Sequence, residues 1–261
     1  MVESIRRQNK HAFDFVAAAR LSMYAYSGEP HVDFRAKVLK TVLDKTDHKS
    51  CVPFEHGELA GFLSFDEFDA VLVIRARQES RSWIKRFAKN SIEIECGRVD
   101  RSIHEHALTL SKHVGKHVRE SLHKELRLHL IGHSLGGSIA LQFAVNSVVG
   151  SQAIESVTAF GPTDCVDVRV RSHLAKHRIP VTQFYHFRDP TPKPSFVDKF
   201  LPVGDQIYFT EDNRLVINPT LKSRTTLVKN SRRKSHPPLI GSSIMAKYVA
   251  VAELYGNRKC P

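Results

Sequence analysis

The chain has 261 residues, of which 41% are hydrophobic and 25% are charged, a balance typical of one globular domain that buries a sizeable core. Its formal net charge of +12 favours anionic partners such as lipid headgroups or nucleic acid, but does not bear on the fold. No apolar run is long enough to cross a bilayer, and the polar residues 1–10 are not followed by the apolar core of a signal peptide. We therefore expect a cytoplasmic protein, or one exported by a route that needs no such signal.

Cysteine usage agrees with a reducing compartment. The four cysteines, Cys51, Cys96, Cys165 and Cys260, lie far apart and form no Cys-x-x-Cys motif. We expect free thiols rather than a disulfide framework.

The N-terminal segment, about residues 1–45, is predicted to be helical. Apolar side chains recur at helical spacing within residues 10–26 and again within residues 33–43. Gly28-Glu29-Pro30 separates the two patterns, as expected for a helix end. We place this segment and the rest of the chain, residues 1–261, in a single domain.

Two strands are predicted after a polar loop at residues 46–57. They cover residues 59–65 and 70–75, and the second contains the sequence Ala-Val-Leu-Val-Ile. A continuous apolar run of this length is typical of a central strand buried on both faces.

Residues 75–89 combine large apolar side chains with basic ones. Trp83 and Phe87 share one face of a predicted helix, surrounded by arginine and lysine. Such a segment can lie on a membrane interface, or can be a surface helix that packs on the core with a solvated basic face.

Residues 103–125 follow a long helical pattern that is rich in histidine. His113 and His117 are four residues apart and could share a face, as metal ligands do. Because no glutamate is suitably placed between them and no third ligand is evident, we expect solvent-facing histidines and no metal site.

The middle of the chain alternates strands with helices. Strands are predicted at residues 126–131, 157–161 and 180–187, with helices at residues 138–149 and 166–176. A hairpin at residues 207–210 and 215–217 and a helix at residues 239–255 complete the chain. This alternation predicts the α/β class, with a mostly parallel central sheet and helices on both faces.

The strongest motif is Gly132-His133-Ser134-Leu135-Gly136-Gly137. It lies between a predicted strand and a predicted helix, the context of a nucleophile elbow. On such a turn the serine hydroxyl projects away from the backbone, and glycines two residues away on either side avoid collisions with the neighbouring strand or helix. The motif predicts that Ser134 is a catalytic nucleophile.

A nucleophilic serine needs an acid and a base that follow it in the chain. Asp189 is the leading candidate for the acid, because it ends a predicted strand in a proline-rich loop. Asp164 and Asp167, one strand earlier, are the alternatives.

The base is predicted to be a histidine between the last strand and the last helix. His236 occupies that position. His186 lies within a strand and too near Asp189 in sequence, and the side chain of His133 should point away from the hydroxyl. An oxyanion would be held by the amide of Leu135 and by a second amide from the loop after Ile74, for which Arg77 is the candidate.

From about residue 59 onward, these motifs resemble those of the class 3 lipases, a branch of the α/β hydrolases. Residues 132–137 match the family's G-H-S-L-G-G, and residues 158–162 resemble its T-F-G-x-P. Residues 187–192 resemble its N-x-D-x-V-P, with Asp189 at the acid position, and residues 202–208 resemble the strand that follows. The sequence that ends near Tyr26 is similar to the family's start.

The resemblance implies an esterase that acts on acyl lipids such as triacylglycerol or phospholipid, with no cofactor. It also implies a lid after the oxyanion loop, about where Trp83 and Phe87 lie. Contact with an anionic membrane surface would suit the basic charge, whereas no base-reading or aromatic-stacking motif supports nucleic-acid binding.

Two departures from the family pattern keep an alternative open. Arg75-Ala76-Arg77 stands where the family has R-G-T, so the hydroxyl that would assist the oxyanion donor is absent. Ser242-Ser243-Ile244 stands where the family often has H-S-M or H-S-I before a tyrosine, here Tyr248. Either His236 supplies the base from upstream, or the chain is a catalytically inactive lipase fold that binds lipid or protein.

Overall fold

A computed structural model of the chain has a central eight-stranded sheet between two layers of helices. The residues that the structure describes are 15–26, 34–76, 91–123, 126–149, 154–189, 200–212, 214–220, 222–224, 226–227 and 242–259.

The helices are α1 (Phe15–Tyr24), α2 (Phe34–Lys45), α3 (Arg101–His123), α4 (Leu135–Val149), α5 (Val168–Lys176) and α6 (Ser242–Lys259). The strands of the main sheet are β1 (Ser50–His56), β2 (Leu59–Phe65), β3 (Asp69–Ala76), β6 (Arg127–His133), β7 (Ser156–Phe160), β8 (Val181–His186), β9 (Asp205–Phe209) and β10 (Leu215–Ile217). A separate hairpin consists of β4 (Ser91–Ile94) and β5 (Gly97–Asp100).

The strand order in the main sheet is β1-β2-β3-β6-β7-β8-β9-β10. The five central strands from β3 to β9 are parallel, while β1, β2 and β10 pair antiparallel towards the two edges. The carboxyl ends of β6, β7 and β8 therefore lie side by side. This is the mostly parallel sheet that the alternation of strands and helices predicts.

Both faces of the sheet are buried, which explains the continuous apolar sequence of β3. Leu72 and Ile74 face a cluster with α3, α4 and α5, whereas Val71 and Val73 face a second cluster with α1, α2 and α6. Because successive side chains of a strand point to opposite faces, a strand between two helical layers must be apolar at every position. The predicted N-terminal helices thus become part of the second layer.

The prediction of a loop at residues 46–57 is wrong, because β1 occupies much of it. β1 is an edge strand with Phe54 as its only buried side chain, and Pro53 lies within it. A proline is tolerated on an edge, where one side of the strand makes no ladder hydrogen bonds. With one buried position and a proline, the segment lacks the alternating pattern by which strands are predicted.

Residues 91–94 form a strand that lies apart from the main sheet. This strand is β4, which pairs only with β5. Among the described helices, none combines the length and apolar character that a membrane span requires. The described cysteines, Cys51, Cys96 and Cys165, are free thiols.

Candidate active site

Ser134 lies on the sharp turn that joins β6 to α4. It has a φ of +56°, a left-handed conformation that costs free energy for any residue with a Cβ. The turn is held in place because the Ser134 amide donates to the carbonyl of Phe160 at 2.7 Å, and the Ser134 carbonyl accepts from Gly137 and Ser138. Strain that the surrounding structure enforces in this way is typical of a functional turn.

The glycines of the motif permit two close backbone approaches. A Cβ on Gly132 would lie 2.3 Å from the carbonyl oxygen of Gly136, and one on Gly136 would lie 2.2 Å from the carbonyl oxygen of Ile74. No side chain fits at either position. The end of β3, the end of β6 and the start of α4 can therefore meet only with glycine at these positions.

Leu135 is the first residue of α4 and is buried. Amides at a helix N-terminus have no partner within the helix and carry the positive end of its dipole, so this amide is suited to an oxyanion. Arg77, the predicted second donor, lies outside the described residues, as do Trp83 and Phe87.

Asp189 lies after the end of β8, two strands away from Ser134 in the sheet. Its side chain is 1% exposed, and its Oδ2 accepts a hydrogen bond from the Tyr248 hydroxyl at 2.7 Å. A Cβ on Gly161, at the end of β7, would lie 2.1 Å from the same oxygen. The carboxylate is therefore held at the carboxyl end of the sheet, which is also the end where the nucleophile elbow lies.

The two alternative aspartates have other partners. Asp164 Oδ1 accepts from Arg224 at 2.7 Å, with both side chains at most 2% exposed. Asp167 caps the N-terminus of α5 by accepting from the amides of Arg169 and Val170. Each carboxylate has an evident structural role, and neither contact involves Ser134.

Among the predicted histidines, His236 lies outside the described residues. His186 ends β8, and its Nδ1 accepts from the Arg188 amide at 3.1 Å. Burial lowers the pKa of His186 to about 4, since the charge of nearby Asp189 opposes that effect only in part. His186 is therefore neutral at pH 7 and has one ring nitrogen engaged.

His133 is buried beneath the elbow. Its Nδ1 lies 2.7 Å from the Tyr26 hydroxyl, and its Nε2 lies 3.4 Å from Asp189 Oδ2. Both neighbours are on the side of the sheet that α1 and α6 cover. The His133 ring is therefore a neighbour of Asp189, the candidate acid.

Sequence reasoning did not assign site roles to Tyr26, Tyr248 or Gly161. Burial, then the charge of Asp189, raises the pKa of the Tyr248 hydroxyl, so this group stays protonated and donates. The only sequence signal of this role is a tyrosine on the buried face of a predicted helix. That signal is ambiguous, because ordinary apolar packing gives the same pattern. Tyr26 follows α1 and is more than 100 residues away from its partner.

A second serine, histidine and aspartate meet at the opposite end of the sheet. Ser156 Oγ lies 2.7 Å from His129 Nδ1, and His129 Nε2 lies 3.2 Å from Asp69 Oδ1. Asp69 also pairs with Arg127 through both of its oxygens. Ser156 begins a strand rather than a helix, so this set lacks the helix N-terminus that Ser134 has, and it provides a matched control.

No group of three or more His, Cys, Asp and Glu side chains within the described residues is arranged to hold a metal ion. His113 and His117 both lie on α3, where the His113 ring packs against His56 and His117 faces Glu120 at 3.4 Å.

Comparisons with known proteins bear on the family and the fold. Residues 71–199 match the family described as Lipase (class 3), and no curated protein matches the sequence. Similar solved structures include the nonglycosylated LIP2 lipase of Yarrowia lipolytica, with 16% identity and a TM-score of 0.67 over 82% of this chain and 86% of that chain. Lipase II from Rhizopus niveus has 18% identity and a TM-score of 0.63 over 79% and 83% of the two chains. The lipase from Rhizopus microsporus var. chinensis has 16% identity and a TM-score of 0.67 over 88% and 87%. These similarities identify the α/β-hydrolase fold that the motifs predict.

Proposed function

We propose that this chain, which belongs to the class 3 lipase family, cleaves carboxylic esters of acyl lipids with Ser134 as nucleophile, Asp189 as acid and His236 as base. The family match makes it a carboxylic ester hydrolase of the lipase type. The proposal concerns the residues that carry the reaction and the lipid, triacylglycerol or phospholipid, on which it acts.

One observation carries the proposal more than any other. Ser134 has a φ of +56° at the start of α4, where its hydroxyl is next to helix N-terminal amides. A backbone strained in this way is expected where the position of the side chain matters for chemistry. The buried Asp189 at the same end of the sheet supplies the second component.

In this mechanism Ser134 Oγ attacks the acyl carbonyl carbon as its proton passes to the imidazole of His236. Asp189 orients that imidazole and stabilises its positive charge. The amides of Leu135 and Arg77 donate to the oxyanion. His236 then protonates the departing alcohol, and a water activated by the same histidine releases the fatty acid.

The choice of Asp189 and His236 is supported by the partners of the alternatives. Asp164 pairs with a buried arginine and Asp167 caps a helix. His186 and His133 each use a ring nitrogen in another contact. A base from the segment between β10 and α6 would complete the triad in the expected chain order.

We also propose that the protein contacts anionic membrane surfaces. The net charge of +12 supports electrostatic attraction, and the basic segment with Trp83 and Phe87 has the composition of an interfacial helix.

Labelling with a fluorophosphonate probe tests the triad, because the probe reacts well only with a serine activated by a working base. We expect labelling of the wild type and of Ser156→Ala, and its loss in Ser134→Ala. Asp189→Asn and His236→Ala should label at least 1,000-fold more slowly, whereas His186→Ala should label normally.

Each other outcome has a definite meaning. Loss of labelling in His186→Ala but not in His236→Ala would show that the base is misassigned. A folded wild-type protein that stays unlabelled, with and without lipid vesicles, would favour the inactive lipase fold that binds lipid or protein.

A further inference from the structure

A series of half-buried and buried polar groups leads to Asp189 from the side of α1. The Arg75 guanidinium lies over the Tyr26 ring at 4.5 Å and donates to the carbonyl of Ala25 at 2.9 Å. The Tyr26 hydroxyl contacts His133 Nδ1 at 2.7 Å, and His133 Nε2 faces Asp189 Oδ2 at 3.4 Å. This series of contacts connects the end of β3, the residues after α1, the end of β6 and the candidate acid.

The position of the proton on His133 follows from its two neighbours. Burial raises the pKa of Tyr26, so the hydroxyl keeps its proton and can donate it to Nδ1. A neutral imidazole then carries its own proton on Nε2, and a charged imidazole carries a proton there as well. The opposite tautomer would direct a lone pair at a buried carboxylate, which is repulsive.

Both Asp189 and His133 Nε2 gain from this contact. A carboxylate that is 1% exposed is costly to keep ionised unless several donors reach it. Nε2 is buried and makes no hydrogen bond of ordinary geometry among the described residues. A distance of 3.4 Å is long for such a bond, but catalytic hydrogen bonds commonly shorten when the substrate complex forms.

We propose that His133 is a positioning residue that donates a hydrogen bond from Nε2 to Asp189 and keeps the acid ionised and oriented. Tyr26 holds His133 in the donating tautomer. The role rests on the proposed function, in which Asp189 is the acid of the triad, and it is distinct from that of the base.

The pH profile of kcat/KM tests the role with paired variants. His133→Met removes the donor, whereas His133→Gln keeps an amide donor near the position of Nε2. Without the donor, the pKa of Asp189 rises, and the more basic carboxylate also raises the pKa of the base. Both effects shift the acidic limb of the kcat/KM profile to higher pH, by about one pH unit. His133→Gln should return the limb most of the way to its wild-type position.

His129→Met is the matched control. His129 lies four residues earlier on β6, is also buried and also faces a carboxylate, Asp69 at 3.2 Å, but at the other end of the sheet. We expect His129→Met to lower thermal stability without moving the acidic limb of the kcat/KM profile. A limb that stays unchanged in His133→Met, or moves equally in His129→Met, would overturn the proposal.

The state of His133 can be read without any activity. In protein labelled with ¹⁵N-histidine, we expect an Nε2–H signal that is assigned by its loss in His133→Gln and shifts in Asp189→Asn and Tyr26→Phe. A neutral ring protonated on Nδ1 alone would overturn the proposal. If ester hydrolysis were absent while this signal behaved as expected, the contact would stand and the catalytic assignment of Asp189 would fail.

Discussion

At the scale of single residues, Gly161 determines where the Asp189 carboxylate can lie. Gly161 has a φ of +57°, and a Cβ placed on it would point at Asp189 Oδ2 and the Tyr248 hydroxyl. Two constraints thus act on one position, a left-handed backbone and the absence of room for a methyl group. A second glycine, Gly57, has nearly the same φ, +56°, but among the described residues no atom beyond its chain neighbours would lie within 4 Å of a Cβ placed on it.

Alanine variants of these two glycines separate the effect of a collision with Asp189 from the effect of backbone strain. Gly57→Ala should cost about 1 kcal/mol of unfolding free energy and leave kcat/KM unchanged, because only the left-handed conformation is penalised. Gly161→Ala should also lower kcat/KM per folded molecule by about 100-fold, because its methyl group displaces the acid. Thermal unfolding and ester hydrolysis measure the two effects. Equal activities of the two variants would contradict the assigned position of Asp189.

At the scale of elements, α5 is fixed to the β4–β5 hairpin through its cap. Asp167 accepts from the first-turn amides of α5, and its own amide donates to the carbonyl of Arg98 in β5 at 3.0 Å. Arg169 on the first turn pairs with Glu93 in β4 at 2.6 Å. The hairpin, which lies outside the main sheet, is thereby held against the helix that follows β7.

The charge of this cap predicts a pH effect on stability. Burial raises the pKa of Asp167, but the hydrogen bonds it accepts, chiefly from Val170, outweigh burial and hold the pKa below its usual range. Its stabilising effect is therefore complete above the unfolded pKa of about 3.9 and is lost as the pH falls through the lower folded value. Asp167→Asn keeps a capping oxygen without the charge.

We expect the wild type to lose its stability advantage over Asp167→Asn as the pH falls from 5 to 3. Urea unfolding at several pH values in this range measures the difference. An advantage that stays constant would mean that the carboxylate charge does not contribute. Asp167→Ala, which removes the cap altogether, should cost about 1 kcal/mol at pH 7.

At the scale of the whole molecule, net charge is the property that concerns partners. An excess of +12 attracts anionic surfaces over distances that salt shortens, since the screening length falls from about 10 Å at 0.1 M to about 3 Å at 1 M. Charge attracts but does not select, so the class of surface must come from the proposed site for lipid ester hydrolysis.

Vesicle binding tests this attraction. Ser134→Ala, which keeps the charge and cannot turn over lipid, should sediment with vesicles that contain anionic lipid at low salt and be released at 0.5 M salt. Vesicles of neutral phosphatidylcholine should bind it weakly. Binding that ignores both lipid charge and salt would remove electrostatic docking from the proposed function.

The sequence was sufficient wherever the cause of the structure is local. The strand before Ser134, the helix after it and the glycines on both sides lie within a short segment, so the elbow could be predicted from neighbours in the chain. The same holds for the buried strand β3 and for the fold class, since continuous apolar strands alternating with helices permit few arrangements. β1 escaped prediction because its position at the sheet edge, and not its own pattern, makes it a strand.

Only the tertiary structure determined which distant groups meet. The sequence favoured Asp189 over Asp164 and Asp167 as the acid, but it did not show that Tyr248, Arg224 and a helix N-terminus, respectively, lie beside these three carboxylates. The contacts that surround Asp189 join Tyr248, 59 residues away, and through His133 reach Tyr26, a further 107 residues from that histidine. Local sequence fixes the conformation of a turn, because nearby residues set backbone sterics and hydrogen bonding. The environment of a buried charge depends on which elements pack together, and that is settled only when the two helical layers close on the sheet.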